Sequence, residues 1–313
     1  MRRVGEAEQL ESASVLHLIY NPVAGRGRAP AELSKALGLL DAARIDYRLY
    51  TSNAPGHATD LAAATPPGAV VVAVGGDGTV HEVVRGMVSA DAGPFSQRRT
   101  LGVLPVGSGD DFAFAIGLDR RDIAAAVDRL VTPRPRQIDL GWVNGEPFVN
   151  AHSVGFDAEV AARLMRAPRL LKGLAAYLYA TLVTLGRSRP VPVRVCLDGR
   201  LVHDGPALLV AAQNGPRTGG SFMYAPGARN DDGLLDVVIA GDLSLPGTVA
   251  LLPQVMRGTH LGHPKVQLLR CQSLLLEWSR PRHAHAEGEP LPLTSRHEVS
   301  VQPGGLSVLG PVD

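Results

Sequence analysis

The chain has 313 residues, which is enough for two domains with cores of their own. Its 31 basic and 30 acidic residues nearly balance, so no overall positive field points to nucleic acid as a partner. The two cysteines, Cys196 and Cys271, stand far apart in no metal-binding or redox spacing, which favours reduced thiols and a cytoplasmic protein.

Two segments bear on membrane targeting. Residues 1–13 lack an apolar core and predict a flexible tail rather than a signal peptide. The longest weakly charged stretch, residues 170–185, is too short to cross a bilayer comfortably. The sequence therefore predicts a soluble protein. In the helical stretch from Val160 to Leu185, packing within the protein is the favoured role of the apolar residues, but apolar faces flanked by basic residues could also touch a membrane from the side.

Residues 14–136 predict an α/β domain with a mostly parallel sheet, because short apolar strands alternate with helical periodicity. The first strand, residues 15–20, runs into a glycine-containing loop, and the second ends at Thr51. Glycine turns between a strand and a helix build phosphate sites, although a surface loop with solvated charges is the alternative. The first loop reads Asn21-Pro22-Val23-Ala24-Gly25.

The central stretch of this domain is residues 70–84. A run of β-branched residues from Val70 to Val74 predicts a buried strand, and glycines break it at once. Apolar residues at helical spacing follow Thr79. Glycines let backbone amides approach a ligand, and a helix N-terminus favours anions, so this turn predicts a phosphate site without the lysine of a Walker loop. The turn reads Gly75-Gly76-Asp77-Gly78-Thr79.

A third loop repeats the pattern after the strand at residues 101–104. It carries Gly107, Ser108 and Gly109, and then two adjacent carboxylates, Asp110 and Asp111. Ligands of open α/β sheets collect at the carboxyl ends of the strands, where this loop is expected. Capping of the next helix is the alternative explanation for one of the two carboxylates.

From residue 137 onward, short alternating segments bounded by Gly, Pro and Asn predict a β-rich, sandwich-like second domain, whose last strand could return to the first domain. Two places in it could carry chemistry. Asp232, in an Asp-Asp-Gly turn, could hold a hard cation or simply form the turn. Glu289 follows His283, His285 and Glu287, which could form a histidine metal site, a solvated acidic turn or a turn presenting a general base.

These motifs together resemble the diacylglycerol/sphingosine kinase family, and most closely its small soluble bacterial lipid kinases. The resemblance runs from about residue 16 to about residue 291, with the motifs in family order. It implies an NAD kinase/diacylglycerol kinase-like architecture, in which an α/β nucleotide-binding domain at residues 14–136 precedes a β-rich lipid-substrate domain at residues 137–313. The motifs are Asn21-Pro22-x-x-Gly25, Gly75-Gly76-Asp77-Gly78-Thr79, Pro105-x-Gly107-Ser108-x-Asp110-Asp111-Phe112, Asp232-Gly233-Leu234-Leu235-Asp236 and Glu287-Gly288-Glu289.

The resemblance also implies roles for single residues. ATP would be contacted by Asn21, Pro22, Val23, Ala24, Gly25, Thr51, Gly75, Gly76, Asp77, Gly78, Thr79 and Ser108. A structural Mg²⁺ would lie near Asp232, with the backbone carbonyls of Arg229 and Leu234. Glu289 matches the general base, while Asp77 and Asp111 offer carboxylates that position metal or hydroxyl.

This chain departs from the family pattern at three positions: Asp110 replaces the usual Asn, Ser108 the usual Thr, and Glu287 the usual Asp. The extra charge at Asp110 keeps open a non-catalytic lipid or nucleotide sensor, and the Gly75–Thr79 loop alone would also suit an NAD kinase-like enzyme. We expect a lipid kinase with transient peripheral membrane contact, for which diacylglycerol, giving phosphatidate, is the leading acceptor. A sphingoid base, a ceramide or a glycerophospholipid headgroup stays open as the acceptor. The sequence leaves open whether it forms a homodimer.

Overall fold

The structure is a computed structural model and describes residues 15–91, 98–164, 168, 170–171 and 174–311. It divides into two compact units, one formed by Met1–Ile138 with Gly304–Asp313 and the other by Asp139–Pro303. The tail expected at residues 1–13 lies outside the described residues. The assignment of ATP binding to residues 14–136 and of lipid binding to residues 137–313 stays a prediction.

The first unit is built on a parallel sheet whose strands Leu16–Tyr20, Val70–Gly75 and Thr100–Pro105 are buried along nearly their whole length, whereas the edge strand Tyr47–Thr51 is largely exposed. Such burial explains the continuous apolar runs, which are typical of strands covered on both faces. The last strand of the chain, Thr294–Leu309, joins the far edge in parallel through Ser307 and Val308. The other strands lie in the order β2-β1-β3-β4 and are β1 (Leu16–Tyr20), β2 (Tyr47–Thr51), β3 (Val70–Gly75) and β4 (Thr100–Pro105).

Helices follow each of these strands. The helix after β3 buries Val80, Val83, Val84 and Met87, the residues whose spacing predicted it. Because β1 lies between β2 and β3, the strand order reverses at β1, and ligands of α/β sheets bind beside such a reversal. The helices are α1 (Ala29–Ala42), α2 (His57–Ala63), α3 (Asp77–Ala90), α4 (Asp111–Ala115) and α5 (Ile123–Val131).

The second unit contains two antiparallel arrays of strands, in the orders β16-β13-β8-β9 and β12-β11-β10-β7-β14-β15. The strand β5 (Pro135–Val143) enters this unit and pairs with β6 (Glu146–Phe148). The remaining strands are β7 (Ala151–Gly155), β8 (Val191–Leu197), β9 (Arg200–Ala207), β10 (Leu209–Gln213), β11 (Leu235–Ala240), β12 (Val266–Cys271), β13 (Ser273–Arg282), β14 (Ala284–Ala286), β15 (Glu289–Pro290) and β16 (Thr294–Leu309).

Successive side chains along a strand point to opposite faces of the sheet, and in this unit the two faces contribute to two hydrophobic cores. On β10, Val210 and Ala212 face a cluster shared by both arrays, whereas Leu209 and Ala211 face a second cluster that includes helix residues. The unit is therefore a β-sandwich with helices on one outer face, as expected for the β-rich half. The helices are α6 (Phe156–Leu164), α7 (Leu174–Arg187) and α8 (Leu245–Arg257).

The helices of the second unit differ from the expectation. The stretch predicted as one helical insertion from Val160 to Leu185 forms two helices, and the first begins earlier, at Phe156. Arg166, Arg169 and Lys172, the basic residues between them, lie outside the described residues. No helix was predicted at α8, because Pro253 stands inside it and a proline normally ends or kinks a helix.

Candidate active site

The loops after β1 and β3 are joined at the carboxyl end of the parallel sheet. The Asn21 side chain donates from Nδ2 to Thr79 Oγ1 at 3.1 Å, and its backbone N–H donates to Val74 O at 3.1 Å. Asn21 Oδ1 in turn accepts the Val23 N–H at 3.1 Å, which shapes its own loop. The structure thus brings the first two predicted phosphate loops together.

The loop after β4 packs against both of the others, backbone against backbone. A Cβ on Gly25, whose φ is +62°, would lie 1.9 Å from Val106 O. A Cβ on Gly107 would lie 2.4 Å from Gly76 Cα. We predicted these glycines for close approach to a ligand, and the structure adds that they are needed for the loops to touch one another.

Asp77 links the second loop to the third. Its Oδ1 accepts the Phe112 N–H at 3.1 Å, so it caps the short helix α4 from outside. Asp110 stands at the N-cap position of α4 with φ +55°, but its side chain accepts the Gly107 N–H at 3.0 Å instead of capping the helix. The capping role considered for the Asp110–Asp111 pair is therefore performed by Asp77.

Burial raises the pKa values of two of these carboxyl groups. For Asp77, burial and then the neighbouring charge of Asp111 raise the pKa to about 7. For Asp110, burial raises the pKa to about 6, against the lowering effect of the Gly107 N–H and of the Arg120 and Arg28 guanidinium groups. Asp111 is itself buried, 5 % exposed. Three carboxylates therefore share a partly dehydrated site, which favours binding of positive charge.

Two arginines brace the third loop, and the sequence analysis assigned a role to neither. Arg28 donates from Nη2 to Gly107 O at 2.6 Å, and Arg120 donates from Nη1 to Ser108 O. Arg28 directly follows the first glycine loop, which is the signal that could have found it, whereas Arg120 lies beyond α4 and carries no such signal. They place positive charge beside Asp110 in a cradle that has no lysine of its own.

The other predicted ATP contacts lie at the same edge of the sheet. Thr51 is the last residue of β2 and is exposed, as are Pro22, Val23 and Ser108. Ala24 begins a short 3₁₀ turn, Ala24–Gly27. Every predicted ATP-contacting residue therefore lies in a loop, at a strand end or in the first turn of α3 in the first unit, while their contacts with ATP stay a prediction.

In the second unit, Glu289 begins β15 directly after a tight turn. Glu287 and Gly288 form this turn with φ values of +56° and +82°. The Glu287 carboxylate is held by three backbone N–H groups, because its Oε1 accepts from Val149 at 2.8 Å, Asn150 at 2.6 Å and Ala151 at 3.3 Å. The longer side chain in place of the family's Asp thus anchors the hairpin that carries Glu289.

A second anchor holds the same turn from its other side. The Gly288 N–H donates to His285 Nδ1 at 3.2 Å, so the proton of the neutral imidazole is on Nε2, which lies 3.2 Å from Asp157 Oδ2. Ser153 Oγ donates to Asp157 Oδ1 at 2.7 Å. The sequence analysis missed Asp157, whose partner His285 is distant in sequence. Bound in this way, His285 leaves the His-x-His metal alternative without support.

The predicted metal residues form a different arrangement. Asp232 Oδ1 accepts the Leu234 N–H at 3.2 Å, and its Oδ2 pairs with the Arg270 guanidinium, while Arg229 pairs with Asp231 at 3.1 Å. Within the described part of the chain, no three His, Cys, Asp or Glu side chains are placed to hold a metal ion. The residues as they stand do not fit a bound Mg²⁺, since Arg270 already neutralises Asp232.

Comparisons with known proteins agree with this organisation. Residues 15–143 match the diacylglycerol kinase catalytic domain, and residues 150–310 match the YegS C-terminal NAD kinase beta sandwich-like domain. A diacylglycerol kinase of Bacillus subtilis (strain 168) is 30% identical over 274 residues, 87% of this chain and 88% of that protein. A diacylglycerol kinase of Mycobacterium tuberculosis (strain H37Rv) is 30% identical over 303 residues, 94% of each.

Solved structures show the same fold. The crystal structure of a diacylglycerol kinase from Bacillus anthracis str. Sterne aligns with a TM-score of 0.69 at 22% identity, over 95% of this chain and 97% of that one. Yeast NADH kinase, solved with NADH, aligns with a TM-score of 0.51 at 12% identity, over 95% of this chain and 83% of that one. The predicted two-domain architecture is confirmed.

The domain matches and the curated relatives place the chain among the kinases, enzymes that phosphorylate an alcohol group. Within that class the chain belongs to the diacylglycerol kinase family, a family of lipid kinases. The resemblance that the five sequence motifs carried is confirmed.

Proposed function

We propose that the protein transfers the γ-phosphate of ATP to a hydroxyl of a membrane lipid, with diacylglycerol as the leading acceptor and phosphatidate as the product. One observation carries the proposal: Asp77 binds the N-terminus of α4 and thereby ties together two glycine loops at the carboxyl end of a parallel sheet. Phosphoryl transfer needs a cradle for the triphosphate and carboxylates beside it, and this arrangement supplies both. The names of the curated relatives supply the acceptor.

In this proposal the loops after β1 and β3, with Thr51 and Ser108, contact ATP. Arg28 and Arg120 offset part of the negative charge that Asp110 adds. Mg²⁺ enters as the counter-ion that ATP brings, and it neutralises charge on the phosphates when bound. Asp77 and Asp111 orient the reacting groups.

Glu289 is the proposed base. The acceptor oxygen forms a bond to the γ-phosphorus, the bond from that phosphorus to the β,γ-bridging oxygen breaks, and the hydroxyl proton passes to the Glu289 carboxylate. Glu289 suits this role because two anchors fix its turn while its own side chain lies exposed.

The test is phosphate transfer from radiolabelled Mg-ATP to a panel of purified lipids. We expect labelled phosphatidate from diacylglycerol, and we expect Glu289→Gln and Asp77→Ala each to abolish it while the proteins stay folded by circular dichroism. Glu298→Gln, at an exposed glutamate on β16, serves as the matched control and should keep the wild-type rate.

Two results would overturn the proposal. ATP turnover that responds to NAD but not to lipid would assign an NAD kinase-like activity. Wild-type protein that binds lipid or ATP but transfers no phosphate to any lipid of the panel would assign a sensor.

A further inference from the structure

The helix α8 carries an apolar stripe on its exposed side. Leu245, Val249 and Met256 are 46%, 48% and 52% exposed, although they are large aliphatic side chains. They recur at the spacing of one helix face, four and seven residues apart. Smaller exposed apolar residues fill the gaps, and the whole set, called here the α8 stripe, is Leu245, Pro246, Val249, Ala250, Pro253 and Met256.

The opposite side of α8 is also apolar. Leu251 and Val255 are buried in the cluster between the helices and the second array of strands, and Thr248 is buried beside them. A surface helix normally turns a charged or polar side to water, and a helix apolar on all sides is normally covered. Because α8 is covered on one side only, the stripe has the character of an interaction surface.

The segment that carries the stripe bears only positive charge, although the exposed Asp242 precedes it and its backbone carbonyl accepts from Lys265. Residues 243–276 contain no Asp or Glu, whereas Arg257 and Lys265 are exposed within them. The third basic residue, Arg270, is already neutralised by Asp232 and Asp236. An apolar face with the exposed cations Arg257 and Lys265 in the same segment is complementary to the surface of an anionic bilayer, where aliphatic side chains enter the acyl boundary and cations meet headgroups.

We propose that the α8 stripe is the surface by which the protein docks on an anionic lipid bilayer. The inference rests on the proposed function, since a diacylglycerol acceptor lies in a membrane, and among the described helices none is long and apolar enough to cross one. The neighbouring helix α7, which contacts α8, adds Tyr179, 39% exposed, an amphipathic side chain suited to a bilayer surface.

A second copy of the chain fits the stripe less well than a bilayer does. In a symmetric dimer the same patch meets itself, so the cations beside one stripe would lie near those beside the other. No acidic residue of segment 243–276 could offset that repulsion. An anionic headgroup layer supplies the missing negative charge.

The experiment is vesicle flotation without ATP, comparing phosphatidylcholine vesicles with vesicles that also contain phosphatidylglycerol. We expect the wild type to float with the anionic vesicles and the double variant Val249→Gln/Met256→Gln to bind them about ten-fold more weakly. Leu39→Gln is the matched control, because Leu39 is 39% exposed on α1 of the other unit. Arg257→Gln should weaken binding to anionic vesicles only, by about five-fold.

Several outcomes would overturn the inference. They are wild type that floats with neither vesicle, a double variant that binds as the wild type does, and a wild-type dimer that the double variant dissociates. Flotation does not depend on catalysis, so it stands apart from the kinase assay. On diacylglycerol with short chains, dispersed below micelle formation, the double variant should keep the wild-type rate while losing activity on vesicles.

Discussion

The two regions that present carboxylates hold them in opposite ways. In the first unit, burial and the nearby Asp111 carboxylate raise the pKa of Asp77 to about 7. In the second unit, burial alone would raise the pKa of Asp157, but the hydrogen bonds from His285 and Ser153 hold it below its ordinary value. The charged form of Asp77 is therefore disfavoured, whereas Asp157 is charged and its oxygens already accept hydrogen bonds.

The difference indicates that the carboxylates of the first unit bind ligands, whereas those of the second unit hold the backbone in position. A cluster of carboxylates with raised pKa values gains free energy when a cation or a hydroxyl donor arrives, as expected where ligands bind. A carboxylate that already has its partners gains nothing from a ligand and instead fixes a backbone, as Asp157 and Glu287 fix the turn before Glu289. The predictions below test that division.

The largest effect is expected at the Glu287 anchor. Glu287→Ala removes the acceptor of three backbone N–H groups, and we expect a loss of about 3 kcal/mol in the free energy of unfolding. Release of the Glu289 turn should lower the rate of phosphate transfer about a hundred-fold. Urea unfolding and initial rates measure the two effects. Glu287→Gln, which keeps an acceptor oxygen, should lose less of both, and an unchanged rate in Glu287→Ala would show that the turn needs no anchor.

A smaller loss is expected for Asp157→Asn. The single oxygen of the asparagine amide cannot accept hydrogen bonds from His285, Ser153 and the Ala158 N–H at once. We therefore expect the free energy of unfolding to fall by about 2 kcal/mol at neutral pH. The pKa of Asp157 is lowered in the folded state, so its contribution is complete above the unfolded value of about 4 and is lost as the pH falls further. The stability gap to wild type should therefore narrow in acid.

The readout specific to positioning is hydrogen exchange at the Gly288 amide, which should quicken in Asp157→Asn because His285 loses its orientation. Asp204→Asn is the control, since Asp204 is exposed on β9 of the same unit. Unchanged exchange at Gly288 would separate Asp157 from the turn.

The parallel sheet and its loops could be predicted from the sequence because their signals are local. The run Val70–Val74 and the glycines after it specify a strand and a turn within a few residues. The order of strands then brings such turns to one edge, so Asn21 and Thr79 meet although they are far apart in the chain.

The anchors of the second unit could not be predicted, because each joins residues distant in the sequence. Asp157 looks like any acidic residue in the first turn of a helix, and only the pairing of β14 with β7 brings His285 to it. Glu287 was recognised as a departure from the family, but its three N–H donors come from residues 149–151. For α8, a proline inside the helix, Pro253, argued against a helix in the sequence.

At the binding region, Asp77→Asn should stabilise the folded protein, in contrast to Asp157→Asn. The folded-state pKa of about 7 exceeds the ordinary value of 3.8 for an aspartate, so wild type loses stability as the pH rises between these values, while asparagine does not titrate. We expect the free energy of unfolding of Asp77→Asn to exceed that of wild type by about 1 kcal/mol at pH values above about 7, and the difference to shrink towards pH 4. Urea unfolding without Mg²⁺ measures it. A gain independent of pH would show that Asp77 is not the titrating group.

The smallest effect is expected for Asp110→Asn, which restores the family's residue. Asparagine keeps an acceptor for the Gly107 N–H, so the loop should hold, and one charge beside the proposed phosphate site disappears. Because Arg28 and Arg120 already offset that charge, the KM for ATP should fall by less than about five-fold, the equivalent of about 1 kcal/mol. Arg28→Gln should raise the KM, since it removes the offset, and a lower KM there would show that Arg28 acts only as a brace for Gly107. Opposite shifts of the KM for ATP in the two variants would mean that charge controls binding in this region, whereas at the Glu289 turn the position of the backbone controls activity.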